Sequence, residues 1–97
     1  MRPDILLFMS DQHAPQFMAG AEMEVDTPNL DALRREGTSF SEAYTACPLC
    51  VPARMAMLSS MRAARTGIFT NNDALPDTLP TFLHHLVAAG YETVLVG

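Results

Sequence analysis

Five apolar residues in a row, Ile5 to Met9, stand between an opening Met-Arg-Pro-Asp and a polar Ser-Asp-Gln-His. A second such run, Thr93 to Val96, lies near the other end of the chain. Short apolar runs without alternation are what a strand needs when both faces of its sheet are covered. They predict buried strands over 4–10 and 93–96, and helix signals fill the space between. Thr27-Pro28 reads as a helix start, with Thr27 as cap, Leu30 and Leu33 on one face and Gly37 as the stop. A second helix begins around Cys50-Val51-Pro52, and the Ala-, Met-, Leu- and Arg-rich stretch carries it from Ala53 to Ala64. In a third, Leu79, Phe82, Leu83, Leu86 and Val87 follow helical spacing, with Gly90 as terminator. Residues 14–26 read as a loop and 38–45 as a short strand. The order of strand, helices and strand predicts an α/β unit, a mostly parallel sheet flanked by helices.

Composition narrows the function classes. The chain has 97 residues, 48% of them apolar, which fits one ordinary domain or a piece of a larger one. Six Lys and Arg against eleven Asp and Glu leave a net charge of −5, which argues against a nucleic-acid binder. No apolar run approaches the ~20 residues that span a bilayer. The opening residues lack the features of a secretory leader, so the sequence reads as cytoplasmic. In open α/β sheets, sites form beyond the C-terminal ends of strands, and the chain stops at Gly97 directly after its last strand. The reading is therefore an N-terminal fragment.

The chemistry concentrates in Cys50-Val51-Pro52-Ala53-Arg54. Pro52 sets a helix start, which puts Cys50 at an N-terminus where unpaired N–H groups and the macrodipole favour negative charge. Arg54, four residues on, lies one turn along the same face, and its guanidinium can grip two oxygens. A reactive side chain, a helix end and a guanidinium together suit a tetrahedral oxyanion. Other readings of these residues stand beside this one. Cys50 as a packed thiol is one, and Cys47-Pro48-Leu49-Cys50 as a redox pair is another. A zinc site would have to draw on His13, His84 or His85. Asp11 also reads as a turn residue, Arg54 as a surface arginine, and Asn71-Asn72-Asp73 as a plain turn.

Cys-x-Pro-x-Arg resembles the sulfatase signature, in which the cysteine is converted after translation to formylglycine. The flanks agree in order along nearly the whole chain. Asp4 to Gln12 looks like the family's opening strand and metal-binding Asp, and Thr27-Pro28-Asn29-Leu30-Asp31 with Glu36-Gly37 looks like its "TPNLD…EG" helix. Ala43-Tyr44-Thr45 precedes the signature, and Arg65-Thr66-Gly67 with Asn71 follows it. Leu79-Pro80-Thr81 and Ala89-Gly90-Tyr91 through Gly97 resemble "PT…L…AGY.T..VG". The resemblance implies the N-terminal part of an alkaline phosphatase-like sandwich over residues 1–97, in a hydrolase of sulfate esters that works with a divalent metal.

Roles follow only where residues match. The resemblance makes Cys50 the formylglycine nucleophile and a metal ligand, Arg54 the group that steadies it and neutralises the sulfate, and Asp11 a carboxylate ligand. The metal would be calcium, with magnesium or manganese as alternatives. Gln12 and Asn71 resemble substrate-binding positions in the branch that includes choline-sulfatase-like and phosphonate monoester hydrolase-like enzymes. Implied partners are a small sulfate ester and the formylglycine-generating maturation enzyme. The chain departs from the pattern in three places. Ala53 replaces the commoner Ser, and Ser10 stands where many sulfatases have a first Asp. Leu58-Ser59-Ser60-Met61 stands where "LTGR" is usual. The family's Lys-x-His and later metal ligands lie beyond Gly97, so the chain alone is expected to be inactive. A phosphonate monoester or phosphodiester hydrolase and a non-catalytic remnant are the rival readings.

Overall fold

The computed structural model describes residues 2–23 and 25–97. They group into two units, Met1–Glu42 and Ala43–Gly97. The first holds a 3-10 turn at Pro15–Phe17 and helix α1, Pro28–Glu36; the second holds α2, Cys50–Ser59, α3, Ala63–Thr66, and α4, Phe82–Ala88.

Helix α1 starts where Thr27-Pro28 places it, with Pro28 in the first turn, where its missing N–H costs nothing. The first helical bond runs from Asp31 N to Thr27 O at 2.9 Å. Thr27 does not cap with its hydroxyl, as the sequence had suggested. Its Oγ1 accepts from Ala19 N at 3.3 Å and so ties the preceding loop to the helix start. Asp31 near the N-terminus and Arg34 and Arg35 near the C-terminus match the helix dipole. Gly37 ends the helix in extended backbone, its N–H on Leu33 O at 2.9 Å. A Cβ there would stand 3.1 Å from that same oxygen, a tight contact that a glycine avoids.

The buried side chains among the described residues all belong to the second unit: Pro52, Ala56, Ser59, Ala63, Ile68 and Thr81. Pro52, Ala56 and Ser59 recur at helical spacing and turn one face of α2 inward. Helix α2 packs on α3 and α4. Ile68, just past α3, is 2% exposed, and full burial of such a side chain contributes ~1.5–3 kcal/mol.

The helix expected to run on to Ala64 breaks at Ser59-Ser60. Ser59 Oγ donates back to Met55 O at 2.7 Å, which competes with the helix pattern, and Ser60 turns left-handed at φ 58°. Helix α3 is therefore separate and ends at Gly67, φ 77°. Helix α4 begins three residues later than Leu79, which lies in a turn closed by Leu79 N to Pro76 O at 2.9 Å. Its end matches expectation: Gly90 N reaches Val87 O at 2.8 Å and Tyr91 N reaches Leu86 O at 3.0 Å, the paired bonds of a Schellman motif. His84 is used in the fold, its Nδ1 accepting from Thr81 N at 3.0 Å.

The strands predicted over 4–10, 38–45 and 93–96 do not form among the described residues. A strand exists only through a ladder with a neighbour, and no residue here has one. The apolar side chains of these runs face solvent instead: Leu6 is 89% exposed and Leu95 96%.

Candidate active site

Helix α2 opens on the signature. Leu49 is the N-cap in extended backbone, Cys50 is the first helical residue, and Ala53 N closes the first turn on Leu49 O at 2.9 Å. Pro52 sits at the third position. It has no N–H to leave unpaired there, and its ring is buried in the core, so it pins the helix start to the unit. Cys50, two residues away around the helix, is exposed, while Arg54 is half-buried one turn further on. Helical side chains lean toward the N-terminus, which carries Arg54 back toward position 50. An exposed Cys50 departs from the packed-thiol reading.

Helix α2 offers fewer backbone donors than its sequence suggested. Proline removes one, and the N–H of Val51 is taken by Asn71 Oδ1 at 3.1 Å. Arg54 is the one formally charged side chain in α2. Asn71 meets the helix from a loop tied by Asp73, whose Oδ2 accepts from Thr70 N at 2.7 Å and Phe69 N at 2.9 Å. These backbone bonds, that from Thr70 first and that from Phe69 next, hold the Asp73 carboxyl below the usual carboxylate range. Asn72 N adds a bond to Thr70 Oγ1 at 3.2 Å. Asp73 went unnoticed in the sequence as part of the site. The signal available was an Asp closing a Thr-Asn-Asn-Asp turn, the pattern in which a short carboxylate bonds nearby backbone.

Upstream, Thr45 shapes the approach to the helix: its hydroxyl donates to Cys47 O at 2.7 Å and accepts from Cys47 N at 3.3 Å. Cys47 and Cys50 are both free thiols, Cys47 half-buried. Asp11 and Gln12 lie in the first unit, exposed, in a bend that follows the apolar run. The structure therefore brings Cys50, Arg54 and Asn71 together at one helix end and puts Asp11 and Gln12 in the other unit. Among the described residues, no group of three or more His, Cys, Asp or Glu is placed to hold a metal ion. Nor is any helix among them long and apolar enough to cross a membrane.

This helix start, with cysteine, proline and arginine at spacings of two, belongs to a known class. The family model for sulfatases matches residues 3–97, and the chain belongs to the sulfatase family. It is 37% identical to a choline-sulfatase of Rhizobium meliloti (strain 1021), over 99% of this chain and 19% of that protein. It is 34% identical to an arylsulfatase of Clostridium perfringens (strain 13 / Type A), over 100% of this chain and 21% of that protein. Identity to the human N-acetylgalactosamine-6-sulfatase is 32%, over 96% of the chain and 20% of the relative. The chain thus spans about a fifth of the length of the curated relatives it matches. No solved structure matches it. The family implies an alkaline phosphatase-like α/β fold, of which the described residues show the helices and not the sheet.

Proposed function

We propose that the protein is a hydrolase of sulfate esters, that residues 1–97 are the N-terminal part of its catalytic domain, and that position 50 carries its nucleophile. The supporting observation is the opening of α2, where exposed Cys50 and half-buried Arg54 lie one turn apart on a helix anchored by the buried ring of Pro52. Relatives along the whole chain are named sulfatases. In this reading a maturation enzyme converts Cys50 to formylglycine, whose hydrate supplies a hydroxyl nucleophile for sulfur.

The other residues then have defined tasks. Arg54 offers two parallel N–H donors to the sulfuryl oxygens and offsets the charge that grows on them. Asn71 and Gln12 bind the anion through their amides. Asp11 is a carboxylate ligand for a divalent cation, calcium ahead of magnesium or manganese, with an oxygen at position 50 as a second. Calcium takes ~6–8 oxygen ligands. The described residues gather no group of three or more His, Cys, Asp or Glu for such an ion.

The test uses the intact protein co-expressed with a formylglycine-generating enzyme. Mass spectrometry of the peptide containing residue 50 should show the aldehyde in place of the thiol, and the protein should release p-nitrophenol from its sulfate ester. An unmodified Cys50 together with no turnover would sink the proposal. A phosphonate monoester or phosphodiester hydrolase is the second reading, supported by the Asp11-Gln12 pair and by the Asn71 amide against α2. A higher kcat/KM on the aryl phosphonate monoester than on the aryl sulfate would decide for it.

A further inference from the structure

The first turn of α2 does not cap itself. Its N-cap residue is Leu49, whose side chain has no acceptor, and Pro52 contributes no N–H. The cap comes from elsewhere: Val51 N donates to Asn71 Oδ1, a residue 20 positions later. An N–H meets only an acceptor, so this bond fixes the side-chain amide with its carbonyl toward the helix and its NH2 turned away from it. The loop that presents Asn71 is held in turn by the Asp73 carboxylate on the N–H groups of Phe69 and Thr70, and by Thr70 Oγ1 on Asn72 N.

We propose that Asn71 and Asp73 are positioning residues for the start of α2: Asp73 orders the loop, the loop places Asn71, and Asn71 fixes the Val51 amide beside Cys50. The helix start thereby exchanges one donor for another, since the Val51 N–H is consumed and the Asn71 NH2 is left as a donor of known orientation. Asp73 has no part in the chemistry itself and acts only through this chain of bonds. The activity half of this inference rests on the function proposed above, and the backbone half does not.

The experiment compares the matured, intact protein with Asp73→Ala, Asp73→Asn, Asn71→Ala, Asn71→Asp and the Asp73→Ala/Asn71→Ala double variant. Two quantities are read: amide hydrogen exchange in the peptide spanning 50–55, and kcat and KM for an aryl sulfate. Asp73→Ala and Asn71→Ala should each speed exchange at Val51 about fivefold, the factor expected from one lost hydrogen bond. Asp73→Ala should lower kcat by roughly tenfold to a hundredfold with KM within about twofold, because a displaced nucleophile loses rate and not binding. Asn71→Ala should lower kcat comparably and also raise KM, because its amide holds the anion as well. The double variant should match the worse single variant, as members of one chain are non-additive. Asn71→Asp keeps an acceptor and should keep slow exchange; where Asp73→Ala fails to fold, Asp73→Asn carries the comparison, and it should exchange faster at Val51 than wild type. Wild-type exchange at Val51 in Asp73→Ala, or additive losses in the double variant, would overturn the proposal. A wild-type protein without turnover would count against the sulfatase reading only, leaving the exchange comparison to decide this one.

Discussion

The hydroxyl of Ser59 donates to the carbonyl of Met55 at 2.7 Å, and the next residue, Ser60, is the one non-glycine among the described residues with positive φ, at 58°. Ser59 Oγ also accepts from Met61 N at 3.3 Å, so a single side chain manages the exit from α2. The family resemblance puts a glycine at position 60, and the backbone shows why: a left-handed residue costs a side chain ~1–2 kcal/mol that glycine does not incur.

Ser60→Gly should therefore raise stability by ~0.5–1 kcal/mol, less than the full strain because glycine also loosens the unfolded chain. Ser60→Val should lower it by more than that. Chemical denaturation of the intact protein measures both, and a glycine variant less stable than wild type would contradict the left-handed assignment.

Asp73 predicts a pH response with a definite sign. Its folded-state pKa is depressed by the Thr70 and Phe69 N–H groups, so its contribution is present above the unfolded carboxylate value of ~3.9 and is lost as pH falls through the lower folded value. Exchange protection of residues 69–73 should be flat from neutral pH down to about 4 and should collapse below that. Asp73→Asn should remove the acid transition. Protection that persists in strong acid would show that the carboxylate is not what holds the loop.

Activity and stability should separate at the signature. Cys50 is exposed, so Cys50→Ala should leave the melting temperature almost unchanged while abolishing sulfate ester turnover. Arg54→Lys keeps the charge and loses the two-pronged grip, and should lower kcat/KM by roughly a hundredfold. Cys47→Ala should leave turnover as it is. Loss of activity in that variant would revive the two-thiol reading of Cys47 and Cys50.

His84 sets a smaller test. Its Nδ1 accepts the Thr81 N–H at 3.0 Å, so His84→Ala should cost ~0.5–1 kcal/mol, while His84→Glu restores an acceptor at the same position and should recover most of it. Equal losses in the two variants would mean that the imidazole contributes by packing.

What could be read from the sequence was what depends on near neighbours. Thr27-Pro28 placed α1, Cys-x-Pro-x-Arg placed the start of α2, and Gly90 marked the end of α4, because caps, prolines and left-handed glycines act within a turn. The break at Ser60 was missed, since Ala53 to Ala64 is helix-forming apart from Ser59 and Ser60, and a serine back-bond outweighed the propensity of the rest. The strands were out of reach for a different reason: an apolar run such as Ile5–Met9 states a preference, and only a neighbouring strand turns it into a ladder. The same holds for the site. Cys50 and Arg54 are four residues apart and legible, whereas Asn71 reaches Val51 across 20 residues, and that contact is visible only once the loop is folded.

The bare Leu6 and Leu95 have a practical consequence. Side chains 89% and 96% exposed on unpaired, β-prone runs are adhesive, and a preparation holding only these 97 residues should cluster through them as its concentration rises. Biophysical work on this segment should therefore begin at low protein concentration and check for association before any other measurement.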